Sequence, residues 1–185
     1  MKTAQHTFIK AGALALGLGL VGTSGDARAE ESSSLQHRFS VYAAAGAQVY
    51  LSNARTIGGI GGGIGVRDTL NDRFILQADL SYLSMLGNTA SFRVGAGVQR
   101  SGTYAPAALL TLSTLFGERL SFLTPEHPTR ISGPGMTLGV TLAPARFDLK
   151  SVQVSLLQLG IGAGTDLPGL GLSYSVGLLE VGATF

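Results

Sequence analysis

Beyond residue 38, apolar side chains fall at alternate positions along most of the chain, the two-residue period of a half-apolar β-strand. Residues 39–50 set Phe39, Val41, Ala43, Ala45, Ala47 and Val49 against Ser40, Tyr42, Ala44, Gly46, Gln48 and Tyr50. Residues 57–66 place Ile60, Ile64 and Val66 on one face and glycine on the other. Residues 73–84 oppose Phe74, Leu76, Ala78, Leu80 and Tyr82 to Ile75, Gln77, Asp79 and Ser81. The pattern predicts further strands over 90–99, 104–116, 134–143, 151–163 and 170–185. In 151–163 the apolar parity passes from Val152, Val154 and Leu156 to Leu157, Leu159 and Ile161, which predicts a bulge near Leu156 and Leu157. A similar ambiguity lies around 176–179. The fold class is therefore all-β, with eight strands near the roughly 9–11 residues that cross a membrane at a tilt.

Charge placement separates a membrane barrel from a soluble barrel of lipocalin type, which must carry charge on its outer strand faces. Of the 20 charged residues beyond residue 29, this reading puts 16 in turns, loops or the segment before the first strand and Arg73 at the first position of a strand. Asp79, Arg93 and Glu180 are the exceptions, each on the small or polar parity. A lipid-facing Arg or Lys costs roughly 2–4 kcal/mol at mid-bilayer, a penalty that empties one face of charge. Aromatics on the apolar parity add two girdles: Phe39, Phe74, Tyr104 and Phe185 at one end, Tyr82, Phe92 and Phe116 at the other. The expectation is an eight-stranded antiparallel transmembrane β-barrel. Residues 67–72, 100–103 and 144–150 are its periplasmic turns; 51–56, 85–89, 117–133 and 164–169 face outward.

Residues 1–29 have the anatomy of a cleavable signal peptide: Lys2 and Lys10, an apolar run over 11–21, then Ala27, Arg28 and Ala29. The run is too short to span a bilayer. The barrel domain is then 30–185. Setting the segment aside changes the charge argument, because the formal +2 of the chain falls to zero, with ten basic and ten acidic residues left. Nothing in that balance points to nucleic acid. The chain has no Cys, which excludes disulfides and a lipid-modified cysteine.

The last strand alternates Gly177, Leu179, Val181 and Ala183 against Glu180, Gly182 and Thr184 and ends on Phe185. In this it resembles the C-terminal strand of bacterial outer-membrane barrels. The resemblance implies that Phe185 is an assembly signal read by the barrel-assembly machinery. Over the whole of 30–185 the pattern resembles the compact outer-membrane barrels that include the OmpA membrane domain and the OmpX-type proteins. That family implies location in the bacterial outer membrane and contact with its lipid and lipopolysaccharide. It also implies a structural or surface-interaction role without catalysis or cofactor.

Motif tests leave little chemistry. Glycine-rich 58–65 fits neither G-x-G-x-x-G nor a Walker loop, and no H-x-x-H or H-E-x-x-H pair offers a metal site. The alternative function is a lipid-modifying enzyme at the outer rim. The lipid A deacylase type carries H-x-S, whereas His127 is followed by Pro128 and Thr129. Glu126, His127 and Ser121 are the nearest approach to a base-assisted nucleophile. The long outer loop also holds Glu118, Arg119, Phe122 and Arg130 as candidate contacts for a surface partner. Inside the barrel, pairing Ser84 with Asn88 across the hairpin tip sets Asp79 opposite Arg93, a pair that fixes register and fills the interior.

Overall fold

Strand after strand turns its apolar parity outward and its small or polar parity inward, and the sheet closes on itself. The computed structural model describes residues 35–52, 56–117, 134–165 and 169–185. These contain ten β-segments: β1 (His37–Ser52), β2 (Thr56–Leu70), β3 (Phe74–Met85), β4 (Thr89–Gln99), β5 (Ala107–Gly117), β6 (Gly135–Ala143), β7 (Arg146–Asp148), β8 (Val152–Ser155), β9 (Gln158–Thr165) and β10 (Leu170–Thr184). All pair antiparallel, and β1 pairs with β10 to close the ring. Segments β6 and β7 are two parts of one stave, as are β8 and β9: Leu142 faces Leu159, and four residues further Arg146 faces Ser155 in the same register. The result is a closed, eight-staved antiparallel barrel. The expected signal peptide, residues 1–29, lies outside the described residues.

The outer face is apolar, with Ile64, Leu80, Leu110, Leu138 and Ile161 all exposed. The interior is polar at mid-height, where Gln48, Gln77, Thr111, Ser113, Thr137 and Thr141 are buried. Small apolar clusters sit inside toward either end. Ile75, Ala107, Leu109 and Ala143 form one, near the end that holds Phe185; Tyr50, Ile57 and Leu115 form the other. Two inward tyrosines need glycine beside them. Tyr42 lies across Gly65 and Tyr50 across Gly171, and a Cβ on either glycine would come within 2.4 Å of the ring.

Three neighbouring staves change parity at one level. Along β6 the odd residues Thr137, Thr141 and Ala143 point inward; after Pro144 and Ala145 the even residues Arg146 and Asp148 do. In the next stave Gln153 and Ser155 are inward before Leu156 and Leu157, and Gln158 and Gly162 after them. On β10 the inward set passes from Gly171 and Ser173 to Glu180 and Gly182 across Leu178 and Leu179, both exposed. Because the three slip together, their mutual register is continuous. The mismatch appears at the borders. Between β5 and the β6–β7 stave, Ala107 faces Ala143 but Tyr104 faces Phe147. Between β1 and β10, Ala45 faces Leu179 but Gly46 faces Gly177. Each of the three staves thus carries one residue more than its outer neighbours, a bulge extended into a fault.

The fault and the strand lengths correct the sequence reading in three places. Residues 144–150 are not one turn: β7 continues the stave to Asp148, and the reversal is Leu149 to Val152, with the Leu149 amide bonded to the Val152 carbonyl at 2.8 Å. Residues 67–70 are strand, so the turn after β2 spans 71–73. Strand-borne charges are therefore not confined to Asp79, Arg93 and Glu180; Arg38, Arg67, Asp68, Arg146 and Asp148 join them.

Removing the extra residue should be far worse than trimming its side chain. Deleting Leu178 leaves Glu180 inward but sets it one residue out of step with Ser155, so the β8–β10 register breaks, and we expect loss of the compact form seen by gel migration in detergent. Leu178→Ala keeps the residue count and should cost less than about 1 kcal/mol, since lipid or detergent replaces the lost contact. Equal damage from the two changes would refute this account of the fault.

Candidate functional site

The chemistry of this chain is concentrated inside the barrel. Asp79 on β3 and Arg93 on β4 are ladder partners, both inward. Arg93 Nε donates to Asp79 Oδ1 at 3.2 Å and Oδ2 at 3.1 Å. The Tyr42 hydroxyl donates to Asp79 Oδ2 at 3.2 Å, reaching it across Gly65. Asp79 is 8% exposed and Arg93 18%.

From Tyr42 the network runs toward the terminal end. The Arg67 guanidinium lies 4.5 Å from the centre of the Tyr42 ring, a cation–π contact. Arg67 has no exposed surface and spends its donors on three neighbours: Gln153 Oε1 at 2.8 Å, Glu180 Oε1 at 2.8 Å and Gln77 Oε1 at 3.2 Å. Glu180 Oε2 accepts from Gln158 Nε2 at 2.7 Å. Gln153 Nε2 donates to Asp148 Oδ2 at 3.2 Å, and Arg38 NH2 bonds the same oxygen. Arg38 also lies 3.4 Å from Asp72 at the rim. Arg146, 1% exposed, comes within 3.8 Å of Glu180, while none of its three guanidinium nitrogens has a hydrogen-bond partner among the described residues.

Burial makes this arrangement demanding. A carboxylate or guanidinium out of water must be paired and hydrogen-bonded, and here every buried carboxylate meets at least one arginine. Little space remains around it. One cavity of ≈60 Å³ touches Tyr42, Gln48, Asp79, Arg93, Gln158 and Ser175. Another of ≈10 Å³ is edged by Arg93, Thr111, Thr137, Thr141 and Ser173. At about 10–15 Å³ for each water the first holds a few waters and the second one at most. Among the described residues no cluster of three or more His, Asp or Glu side chains could hold a metal ion.

The structure thus brings Asp79 and Arg93 together and places Glu180 on the inner wall, joined to Arg67. Phe185 stands at the terminal end, its amide donating to the Phe39 carbonyl at 2.8 Å and its ring exposed. Ser121, Glu118, Arg119, Phe122, Glu126, His127 and Arg130 lie outside the described residues. Arg67, Arg146 and Asp148 are interior residues that the sequence reading put in turns. For Arg67 the sign was present, since it continues the small parity of Gly63 and Gly65. For Arg146 and Asp148 the parity slip at Pro144 and Ala145 hid it.

No protein-family model and no curated protein sequence matches the chain. Solved structures do. The N-terminal β-barrel domain of Pseudomonas aeruginosa OprF is 13% identical, with a TM-score of 0.52 over 82% of this chain and 99% of that one. Neisserial surface protein A is 14% identical, with a TM-score of 0.51 over 80% and 97%. Ail, the attachment invasion locus protein of Yersinia pestis, in complex with the heparin analogue sucrose octasulfate, is 13% identical, with a TM-score of 0.50 over 81% and 99%. The fold is that of small eight-stranded outer-membrane barrels.

Single truncations inside the network should strand a charge. We expect Asp79→Ala and Arg93→Ala each to destabilise by about 3–5 kcal/mol, and the double replacement to cost less than the sum. Arg67→Ala should exceed Arg93→Ala, because Arg67 is wholly enclosed. Urea unfolding in lipid vesicles measures all four, and strict additivity would disprove the coupling.

Proposed function

We propose that this chain is a bacterial outer-membrane barrel, exported behind the signal peptide of residues 1–29, with a non-catalytic structural or surface-interaction role in the cell envelope. The observation that carries the reading is the inverted distribution of polarity. An apolar belt faces out, aromatic rings including Phe74 and Phe92 mark its two edges, and the charges at mid-height point in. Such a surface is stable where hydrocarbon covers it. The fold likeness to outer-membrane barrels supports the same reading. On this reading the terminal end faces the periplasm, and Phe185 is the assembly signal recognised by the barrel-assembly machinery. The belt then meets outer-membrane lipid and lipopolysaccharide.

Among the described residues side chains fill the interior to within small cavities, so the work falls to the wall and the outer loops. We assign any surface partner to residues 117–133, with Glu118, Arg119, Phe122, Glu126, His127 and Arg130 as its contacts, because a rigid scaffold presents binding groups on its loops.

The protein is expected to fractionate with the outer membrane and to migrate as a compact form in unheated detergent samples. Recovery in the soluble periplasmic fraction would overturn the proposal. Deleting Phe185 should lower the amount of assembled barrel. Protease added to intact cells should cut first within 117–133, and protection of that segment while other outer loops are cut would remove the loop assignment.

A further inference from the structure

The outer wall is not uniformly filled. Between two outward rungs of side chains lies a groove of ≈530 Å³ whose lining runs from β1 to β6. One rung is Phe39, Asp68, Leu76, Ala96 and Leu110; the other is Val66, Ala78, Val94, Leu112 and Leu138. Ala78 and Ala96 make the floor low, and larger aliphatic side chains stand on either side. From Asp68 on β2 to Leu138 on β6 is four strand spacings, about 19 Å. That is comparable with the depth of one leaflet, half of a hydrocarbon core about 30 Å thick.

Asp68 is the one charged residue in this lining, and it is an outward-facing acid on an otherwise apolar wall. It sits two residues from the end of β2, beside Phe39 and close to Phe74, at the level of the aromatic edge. Its side chain keeps 29% of its surface exposed. Oδ2 meets His37 Nδ1 at 2.8 Å, while Oδ1 is buried and has no hydrogen-bond partner among the described residues. A carboxylate oxygen carries two lone pairs, so Oδ2 can accept a second donor beside His37. Arg73, exposed in the turn that joins β2 to β3, stands at the same rim.

An acid with spare hydrogen-bonding capacity at headgroup level, an arginine near it and an apolar trough leading away match a zwitterionic amphiphile. We propose that this groove is a binding site for a phospholipid with a primary ammonium headgroup, its ammonium on Asp68, its phosphate toward Arg73 and one acyl chain over Ala78 and Ala96. The site rests on the membrane reading above. It differs from general lipid contact in that Asp68 selects the headgroup. A primary ammonium donates hydrogen bonds to a carboxylate, a quaternary one has no N–H, and phosphatidylglycerol has no cation.

The test is retention of lipid by the folded full-length barrel. Protein inserted into vesicles of equimolar phosphatidylethanolamine, phosphatidylcholine and phosphatidylglycerol is extracted in mild detergent, and bound lipid is identified by native mass spectrometry. The wild type should retain phosphatidylethanolamine about tenfold over either competitor, the factor that about 1.4 kcal/mol gives. Asp68→Asn should remove the preference while leaving the compact gel form intact. Ala78→Leu, which fills the trough and keeps the acid, should lower total retained lipid. Equal retention of the three lipids by the wild type, or an undiminished preference in Asp68→Asn, would overturn the site. Failure to insert into vesicles at all would overturn the membrane reading and the site with it.

Discussion

A β-strand offers each side chain only two directions, and at mid-height of this barrel the charges take only one of them. An apolar outer face and a narrow polar interior make the choice binary, and a slip of one residue reverses it for the whole strand. Much of the rest follows. Asp79, Arg93 and Arg67 fall on the inward parity of straight strands. Glu180, Arg146 and Asp148 reach it because three staves take an extra residue each. Without that fault Glu180 would face outward, and Arg67 would lose the carboxylate it meets at 2.8 Å.

The interior network and the fault are therefore one device seen from two sides. The slip supplies Glu180, Arg146, Asp148 and Gln153 to the lumen, and the lumen holds the slip in place by pairing Glu180 and Gln153 with Arg67 and Asp148 with Arg38, while Arg146 approaches Glu180. Buried ion pairs seldom add net stability over apolar packing, but breaking one is costly, which makes them good at enforcing a single register. Arg146 is the most weakly held of these, with a 3.8 Å approach to Glu180 as its ion pair and no side-chain hydrogen bond among the described residues.

The sequence was most legible where the two-residue period runs unbroken. The β3–β4 ladder is such a place: the short hairpin over 86–88 sets the pairing, and alternate polar positions locate Asp79 and Arg93 on one face. Arg67 is legible in principle, since it continues the small parity of Gly63 and Gly65, but Arg67-Asp68 beside Asn71-Asp72 also reads as the start of a turn. The end of the sixth stave was not legible. Pro144 reads as a stop, and Arg146-Phe147-Asp148 looks like a polar reversal until its neighbours are known to slip with it. A parity change on one strand is a local matter; that three strands change at the same level is a property of their pairing, which no single strand carries. The wall groove was illegible for a related reason, since Ala78 and Ala96 become a trough only once β3 and β4 lie side by side.

The shared slip also bears on how such a chain can change length. In a barrel of independent hairpins, a residue gained or lost in one stave is absorbed at its own turn. Here the last three staves count as a block: β6–β7, β8–β9 and β10 agree with one another and disagree by one residue with β5 and β1. A hairpin transplanted from a straight-staved barrel into this block would meet a partner out of phase on at least one side. The three C-terminal staves are in that sense a single heritable unit, exchangeable whole and resistant to piecemeal recombination, while β2 to β4 keep the modularity of ordinary hairpins.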